Sequence, residues 1–311
     1  MAKRHSEDIN FSEMRTILQK VQYSLLCGLG SCIRFLGFRK TYKMADGLAF
    51  LAWHILSSRR ENTIKSIMEH LNTDKEKAQK LAYKSFQSTF RSFAEITLTQ
   101  DFGRELEGTK LLVADPELWK RFQECQRPIV ASTGHYGSWE LLACLLGQLY
   151  KAPRPRMVVV RKYPNPAVTA YISKQREAKG ASMIGHRAVA TAVLRALHKN
   201  GIVAFLVDHK TKDHEAYTLS FLGDMANVNM GPALLAVRAG ALVWPIFLER
   251  LENECFMLHV QEPLDTKLLT GTTEEKIKQT TLFYTQAMEK QIRQNPEQWF
   301  WMHNRWNKKW K

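Results

Sequence analysis

The chain has 311 residues, 45% of them hydrophobic, with 45 Lys and Arg against 30 Asp and Glu, a net charge of +15. This supports one large α/β domain with a sizeable core and an appendage, and it favours an anionic partner: nucleic acid, an acidic lipid surface or an anionic substrate. The 5 cysteines are scattered, with no CxxC pair, which speaks against a zinc ribbon or a disulfide scaffold and for a reducing compartment.

The segment Met1 to Glu13 is polar and shows no clean signal peptide. Residues 21–38 are fairly apolar, Arg34 interrupts the run, and their glycines weaken a helix. A bilayer span needs roughly 20 apolar residues, and a centred Arg costs about 2.5–3.5 kcal/mol on insertion scales. The segment therefore reads as an interfacial or re-entrant anchor, with a single span and an ordinary buried helix as alternatives. Arg39, Lys40 and Lys43 suit an anionic cytoplasmic leaflet. Residues 1–43 are taken as a membrane-associating segment and 44–311 as the functional domain.

Within that domain, residues 44–105 read as helical, over Ala45–Ile55, Glu61–Leu71 and Asp74–Leu98. Leu81, Phe86, Phe90, Phe93 and Ile96 form an expected core-facing stripe. The pattern changes over 106–295. Apolar runs at Leu111–Val113, Ile129–Ser132, Met157–Val160, Ala181–Ile184, Ile202–Val207, Leu242–Leu248 and Phe256–Val260 alternate with helical stretches. Runs such as Ile202–Val207 lack period-2 alternation, as strands covered on both faces do. The expected fold is α/β, with a mostly parallel central sheet flanked by helices and a helical N-terminal region.

In such a fold the strand exits carry the chemistry. The run Pro128 to Glu140 contains a strand, a glycine turn with His135, and then a helix start with Glu140. Neutral His is a natural general base near pH 7, and a carboxylate partner fixes its tautomer. The bland alternative is a packed His with Glu140 on a solvated face. Arg161 closes another strand, where it would hold a phosphate or an oxyanion, or simply lie on the surface. Asn165 would cap the following helix. Asp208 ends a third strand and could replace or assist Glu140 as the partner of His135. With His209, Asp213 and His214 it also permits a metal reading, which the spacing does not diagnose. Phe221 and Gly223 precede Gly231-Pro232, a helix start able to bind an anion or merely to cap.

The last fourteen residues, 298–311, hold four of the 8 tryptophans, mixed with Lys and Arg. That composition suits a membrane interface or nucleic acid; a packed aromatic cluster is the plainer alternative. No GxSxG elbow, Walker A motif or GxGxxG occurs, so direct transfer assisted by a base is more economical than a covalent intermediate.

These motifs stand in one order: Thr133-Gly-His-Tyr-Gly-Ser-Trp-Glu140, Arg161, Asn165-Pro166, Asp208-His209, Phe221-Leu-Gly223, Gly231-Pro-Ala-Leu-Leu-Ala-Val-Arg238-Ala-Gly-Ala241, Pro296-Glu-Gln-Trp299 and His303-Asn-Arg305-Trp306. From about Arg59 onward the chain resembles the bacterial lauroyl/myristoyl lipid A acyltransferases, within the wider lysophospholipid acyltransferase superfamily. Ser138 and His209 depart from the Asn and Gln usual there. The resemblance implies His135 and Glu140 as a catalytic dyad, and Arg161 near the acyl carbonyl or a phosphate. It puts Asn165, Asp208, Phe221, Gly223, Gly231, Arg238 and Arg305 with substrate. It implies acyl transfer from an acyl carrier protein or coenzyme A thioester to a lipid hydroxyl, without cofactor, metal or nucleic acid. Backbone donors near Gly134 would join Arg161 at the oxyanion. The implied location is the cytoplasmic face of the bacterial inner membrane, with the basic surface and tryptophan tail meeting anionic lipid.

Overall fold

The computed structural model describes residues 16–106, 110–148, 154–160, 164–177, 182–185 and 189–306. Three long helices lead in: α1 (Ile17–Ile55), α2 (Ser57–Leu71) and α3 (Lys75–Leu106). Thr16 starts α1 with a reciprocal capping box to Gln19. Gly37, at φ 69° and ψ 177°, breaks α1 into two pieces inside the segment expected to be an anchor. By length and composition α1 suffices to cross a membrane. One face of its first piece is covered: Tyr23, Leu26 and Cys27 meet Ile96, Tyr171 and Ile172. Ile17, Leu18, Leu25, Leu29 and Phe35 stay exposed, Phe35 at 92%.

The α/β part follows as β1 (Leu111–Val113), α4 (Pro116–Glu124), β2 (Ile129–Thr133), α5 (Trp139–Gln148), β3 (Arg156–Val160), α6 (Pro166–Glu177), β4 (Ser182–Gly185), α7 (Val189–His198) and β5 (Ile202–Leu206). A hairpin, β6 (Ala216–Phe221) and β7 (Asp224–Asn229), precedes α8 (Gly231–Ala239), β8 (Leu242–Arg250), β9 (Phe256–Val260), β10 (Leu264–Asp265) and α9 (Thr273–Gln294). The main sheet runs β1-β9-β8-β2-β5-β3-β4, with β10 beside β8. Its middle, from β8 through β2, β5 and β3 to β4, is all parallel. β9 is antiparallel to β8. Every residue of β2 is buried, as its unalternating apolar pattern requires. The register pairs Thr133 with Leu206, so the exits of β2 and β5 lie side by side.

The expected strands and most expected helices occur among the described residues within a few residues at their ends, but α1 begins at Ile17 and not at Ala45, and α3 runs on to Leu106. The β6–β7 hairpin was unexpected, because Asn, Asp and Gly disguise its two short strands as loop. Its turn places Leu222 and Gly223 at positive φ, 52° and 85°. Of the expected helical stripe, Phe86 and Ile96 are buried and Leu81 and Phe90 pack against the core, but Phe93 is 46% exposed. The buried face of α3 also carries Ser85, Ser88, Thr89, Ser92, Glu95 and Thr99.

Those polar residues receive Arg250 from the end of β8. Its Nε and Nη2 bind Glu95 Oε1 at 2.8 and 2.7 Å. Nη1 and Nη2 also donate to Ser88 and Ser92 Oγ at 3.0 and 2.9 Å. Tyr42 and Ser138 hydroxyls donate to Glu95 Oε1 at 2.6 and 3.0 Å. The cluster thus ties α1, α3, β8 and the segment ahead of α5 together. A buried pair that loses one partner leaves an uncompensated charge, at a cost of about 3–5 kcal/mol. Glu95→Leu and Arg250→Met are each expected to destabilise by about that much in denaturant titrations in mild detergent, and the double variant to recover more than half of the summed loss. Simple additivity would show that the two charges act independently.

Candidate active site

The chain leaves β2 at Thr133 and turns through residues 134–138 into α5. Gly137 sits at φ +56°, and a Cβ there would fall 2.1 Å from the Leu248 carbonyl oxygen, so only glycine fits. The turn is fastened on several sides. Gly137 N–H donates to Gln298 O at 2.9 Å, Ser138 N–H to Leu248 O at 2.8 Å, and Phe300 N–H to His135 O at 3.0 Å.

The partner of His135 is Asp208, just beyond β5. His135 Nδ1 lies 2.9 Å from Asp208 Oδ1, and His135 N–H donates to Oδ2 at 2.8 Å. Trp299 Nε1–H donates to Oδ2 at 2.8 Å. A Cβ at Gly134 would approach Asp208 Oδ2 to 2.9 Å, so a bare Cα lets the carboxylate come this close. The buried carboxylate accepts only, which puts the ring proton on Nδ1 and leaves the Nε2 lone pair unused. Nε2 has no hydrogen-bond partner among the described residues, and the side chain is 33% exposed. Burial opposes charge on His135, but the charge and hydrogen bonds of Asp208 prevail and raise its pKa above the ordinary value. Burial likewise opposes the charge on Asp208, yet His135 and the Trp299 donor hold it well below the usual carboxylate range.

Glu140, expected to orient the His, is engaged elsewhere. Arg176 Nε and Nη2 bind its Oε2 and Oε1 at 2.8 and 2.6 Å. Trp139 Nε1–H donates to Oε1 at 3.1 Å. The Trp139 ring in turn meets His135 edge-on, at 5.4 Å between centroids. Glu140 therefore acts on His135 through Trp139 and through its charge, while Asp208 orients the ring. Phe93, Trp139 and Phe300 surround this His with aromatic surface, Phe300 at 6.0 Å from the His135 ring.

Four of the turn's backbone donors are already engaged. The N–H groups of His135, Tyr136, Gly137 and Ser138 are all occupied, by Asp208, Gly134 O, Gln298 O and Leu248 O. Ser138 Oγ is spent on Glu95, so this departure from the family pattern belongs to the buried ionic cluster and not to substrate.

A family model described as bacterial lipid A biosynthesis acyltransferase matches residues 9–308. The chain belongs to this family. It is thereby an acyltransferase family member over nearly its whole length. No curated protein sequence matched the chain.

The other family positions divide clearly. Arg161 lies outside the described residues; β3, which it follows, ends at the same sheet edge as β2 and β5. Asn165 caps α6, accepting from Ala167 N–H at 2.8 Å, and its amide holds Gln22. Phe221 is buried against Trp299 and Trp306, and Gly223 forms the hairpin turn. Gly231 opens α8 with its N–H taken by Asn229 Oδ1 at 2.8 Å. Arg238 is exposed in the last turn of α8, just before Leu242, which pairs with Ile129 at the strand starts. It stands at the strand-start end of the sheet, and the structure does not bring it together with His135 at the strand exits. Arg305 is buried near the dyad, its Nη1 donating to Asn227 O at 2.7 Å.

The residues of the metal reading do not converge. His209 Nδ1 lies on Leu206 O at 3.0 Å, and His214 is exposed beside Glu215. Glu69, His70 and Asp224 bring donor atoms within 4.8 Å of one another, but they belong to α2 and the hairpin turn and not to the strand rim. The tail also departs from expectation. Trp299 and Trp301 are each 2% exposed and pack with Trp306 and Phe221, so these rings serve the core and not a membrane interface. Trp310 lies outside the described residues.

Arg176 carries no motif in the sequence, whereas the buried cluster does leave one signal. The spacing Ser85, Ser88, Thr89, Ser92 marks a small polar stripe at helical period, the sign of a buried polar partner.

A His135 that acts as base must be neutral, so activity should fall as pH drops through its raised pKa, with an acid limb above that of an ordinary imidazole. Asp208→Asn is expected to move that limb to lower pH and to reduce kcat on the order of 10²–10⁴-fold. Glu140→Gln should lower kcat while shifting the limb less. The pH–rate profiles of the three proteins check this ranking, and a larger shift for Glu140→Gln would restore Glu140 as the orienting group.

Proposed function

We propose that the protein transfers a fatty acyl chain from an acyl carrier protein or coenzyme A thioester to a hydroxyl of a membrane glycolipid, most fittingly a lipid A precursor. The observation that carries this reading is the His135–Asp208 pair at the strand exits, with Nε2 unengaged. An acceptor hydroxyl that meets Nε2 gives up its proton as its oxygen attacks the thioester carbonyl. Asp208 stabilises the imidazolium formed. The C–S bond then breaks, and His135 returns the proton to the leaving thiolate, so an ester and a free thiol result and no cofactor is consumed. The carbonyl oxygen develops charge in this step. With the amides of residues 135–138 occupied, its stabilisation falls to Arg161, on the strength of the family pattern, and to the Gly134 N–H of the same turn.

Phe93, Trp139 and Phe300 give the first apolar contacts for the acyl chain beside His135. Each buried methylene contributes about 0.8 kcal/mol, so such surface favours a long chain over a short one. The exposed apolar face of α1 supports work at a membrane, and the basic residues after it suit the cytoplasmic leaflet. The net charge of +15 also favours an acidic carrier protein as donor partner.

The test is acyl transfer in membranes or mixed micelles. Labelled acyl carrier protein and acyl-coenzyme A donors are offered with a lipid A precursor and with lysophospholipids. Transfer is expected to one donor–acceptor pair and to drop at least 10³-fold in His135→Ala. Transfer that survives loss of His135 would overturn the mechanism, and transfer to lysophospholipid alone would overturn the acceptor.

A further inference from the structure

Beside the His135 rim, a pocket of about 480 Å³ opens between the start of α2 and the C-terminal segment. Its walls include Ser57, Ser58, Arg59 and Asn62 from α2, and His303 and Arg305 from the opposite side. No Asp or Glu lines it. Phe300 links it to the dyad, its ring 6.0 Å from that of His135 and 6.4 Å from that of His303.

Two independent features of this pocket call for negative charge. The first is Arg305. It is 2% exposed, yet among the described residues no carboxylate lies within ion-pair distance, and its Nε has no hydrogen-bond partner. Its visible contacts are the Asn227 carbonyl and the face of the Phe221 ring, 5.4 Å away. Asp208, the nearby acid, is already committed to His135 and Trp299. A buried cation without a counter-charge is costly unless a ligand supplies one. Burial accordingly pulls the Arg305 pKa down to about 10 and that of His303 to about 4.

The second feature is the helix start. Leu56 precedes α2 and offers no side-chain cap, so no side chain satisfies the first-turn N–H groups from within the chain. Arg59, in the same turn, is exposed and holds Met302 O at 2.9 Å. The uncapped positive end of a fifteen-residue helix thus faces a buried guanidinium across one pocket. At its mouth stand Ile55 and Leu56, exposed apolar residues at the end of the membrane-facing helix.

We infer that this pocket binds a phosphate group carried by one of the two substrates, fixing that substrate against His135. The apolar mouth favours a phosphorylated lipid headgroup whose chains lie along α1; the phosphate of a phosphopantetheine-linked donor is the other source of the same chemistry. This assignment rests on the acyl-transfer reading for its substrates but not for the anion site itself.

The full chain in detergent is titrated with inorganic phosphate at constant ionic strength, as wild type, Arg59→Gln and Ser58→Asp. Phosphate should bind the wild type and lose at least fivefold in affinity in both variants. Ser58→Asp places a carboxylate at the helix start, so its melting temperature should not fall. That separates loss of an anion site from loss of fold. In transfer assays KM, and not kcat, should rise about tenfold for the phosphorylated partner. A lipid acceptor with and without its phosphate forms one arm; acyl-coenzyme A against a phosphate-free acyl thioester forms the other. The arm that responds names the source. Absence of phosphate binding, or equal binding in all three proteins, overturns the site whatever the enzyme does. Phosphate binding that persists while His135→Ala retains transfer sinks the catalytic reading and leaves the site standing.

Discussion

One buried carboxylate holds the functional end of this molecule together. Asp208 accepts three N–H groups, two from His135 and one from Trp299. In doing so it joins the exits of two adjacent parallel strands to the C-terminal segment. The consequence is chemical as well as structural. An ionised acceptor at Nδ1 fixes the tautomer, turns the ring and stabilises the charge it gains on taking a proton. A backbone N–H and an indole N–H satisfy the remaining demand of the carboxylate, which is how it stays charged away from water.

A second ionic element lies beneath the first and fixes the frame. Arg250 and Glu95 join α3 to the end of β8. Arg250 Nη2 also reaches the Gly137 carbonyl at 3.3 Å, and Ser92 reaches it at 2.6 Å. The turn that carries His135 is therefore held from below by the buried pair and from the side by Gln298 and Phe300. Glu140 and Arg176 close the gap between α5 and α6. Three carboxylates with three partners thus place one imidazole. Buried pairs add little net stability over apolar packing, so their value here lies in geometry, which apolar contacts specify less sharply.

The architecture was legible in the sequence because β2, β5 and β8 at the middle of the sheet are apolar runs covered on both faces, and several helix starts carry their own signal. Asp115 and Thr272 cap α4 and α9 as their sequence context suggests. His135 was legible because a glycine turn after such a run has few structural uses. Its partner was only half legible. The fixed spacing to Glu140 suggested a dyad, whereas Asp208 lies seventy-three positions away and meets His135 only through the pairing of β2 with β5. Sequence spacing reports helical neighbours well and sheet neighbours poorly. The same limit hid Arg250 and Glu95, whose charges resembled ordinary surface residues. It also made the tail's tryptophans look like an interface, because their burial depends on the unforeseen hairpin that supplies Phe221.

The exposed apolar helix and the candidate site share a scaffold. α1 packs on α3, which carries Glu95, and on α6, which carries Arg176. It ends at Ile55, on the wall of the cationic pocket. A lipid lying along the exposed apolar side of α1 therefore has its polar end directed toward the pocket and the dyad beside it. Burial of α1 side chains in the headgroup region contributes free energy roughly in proportion to apolar area, at about 25 cal/mol per Å². That energy acts on the same rigid helices that fix Glu140, Trp139 and the turn. On the proposed reading, lipid contact and catalytic geometry are then coupled without any moving lid: the exposed apolar face of α1 is the outer face of the scaffold whose inner face places His135.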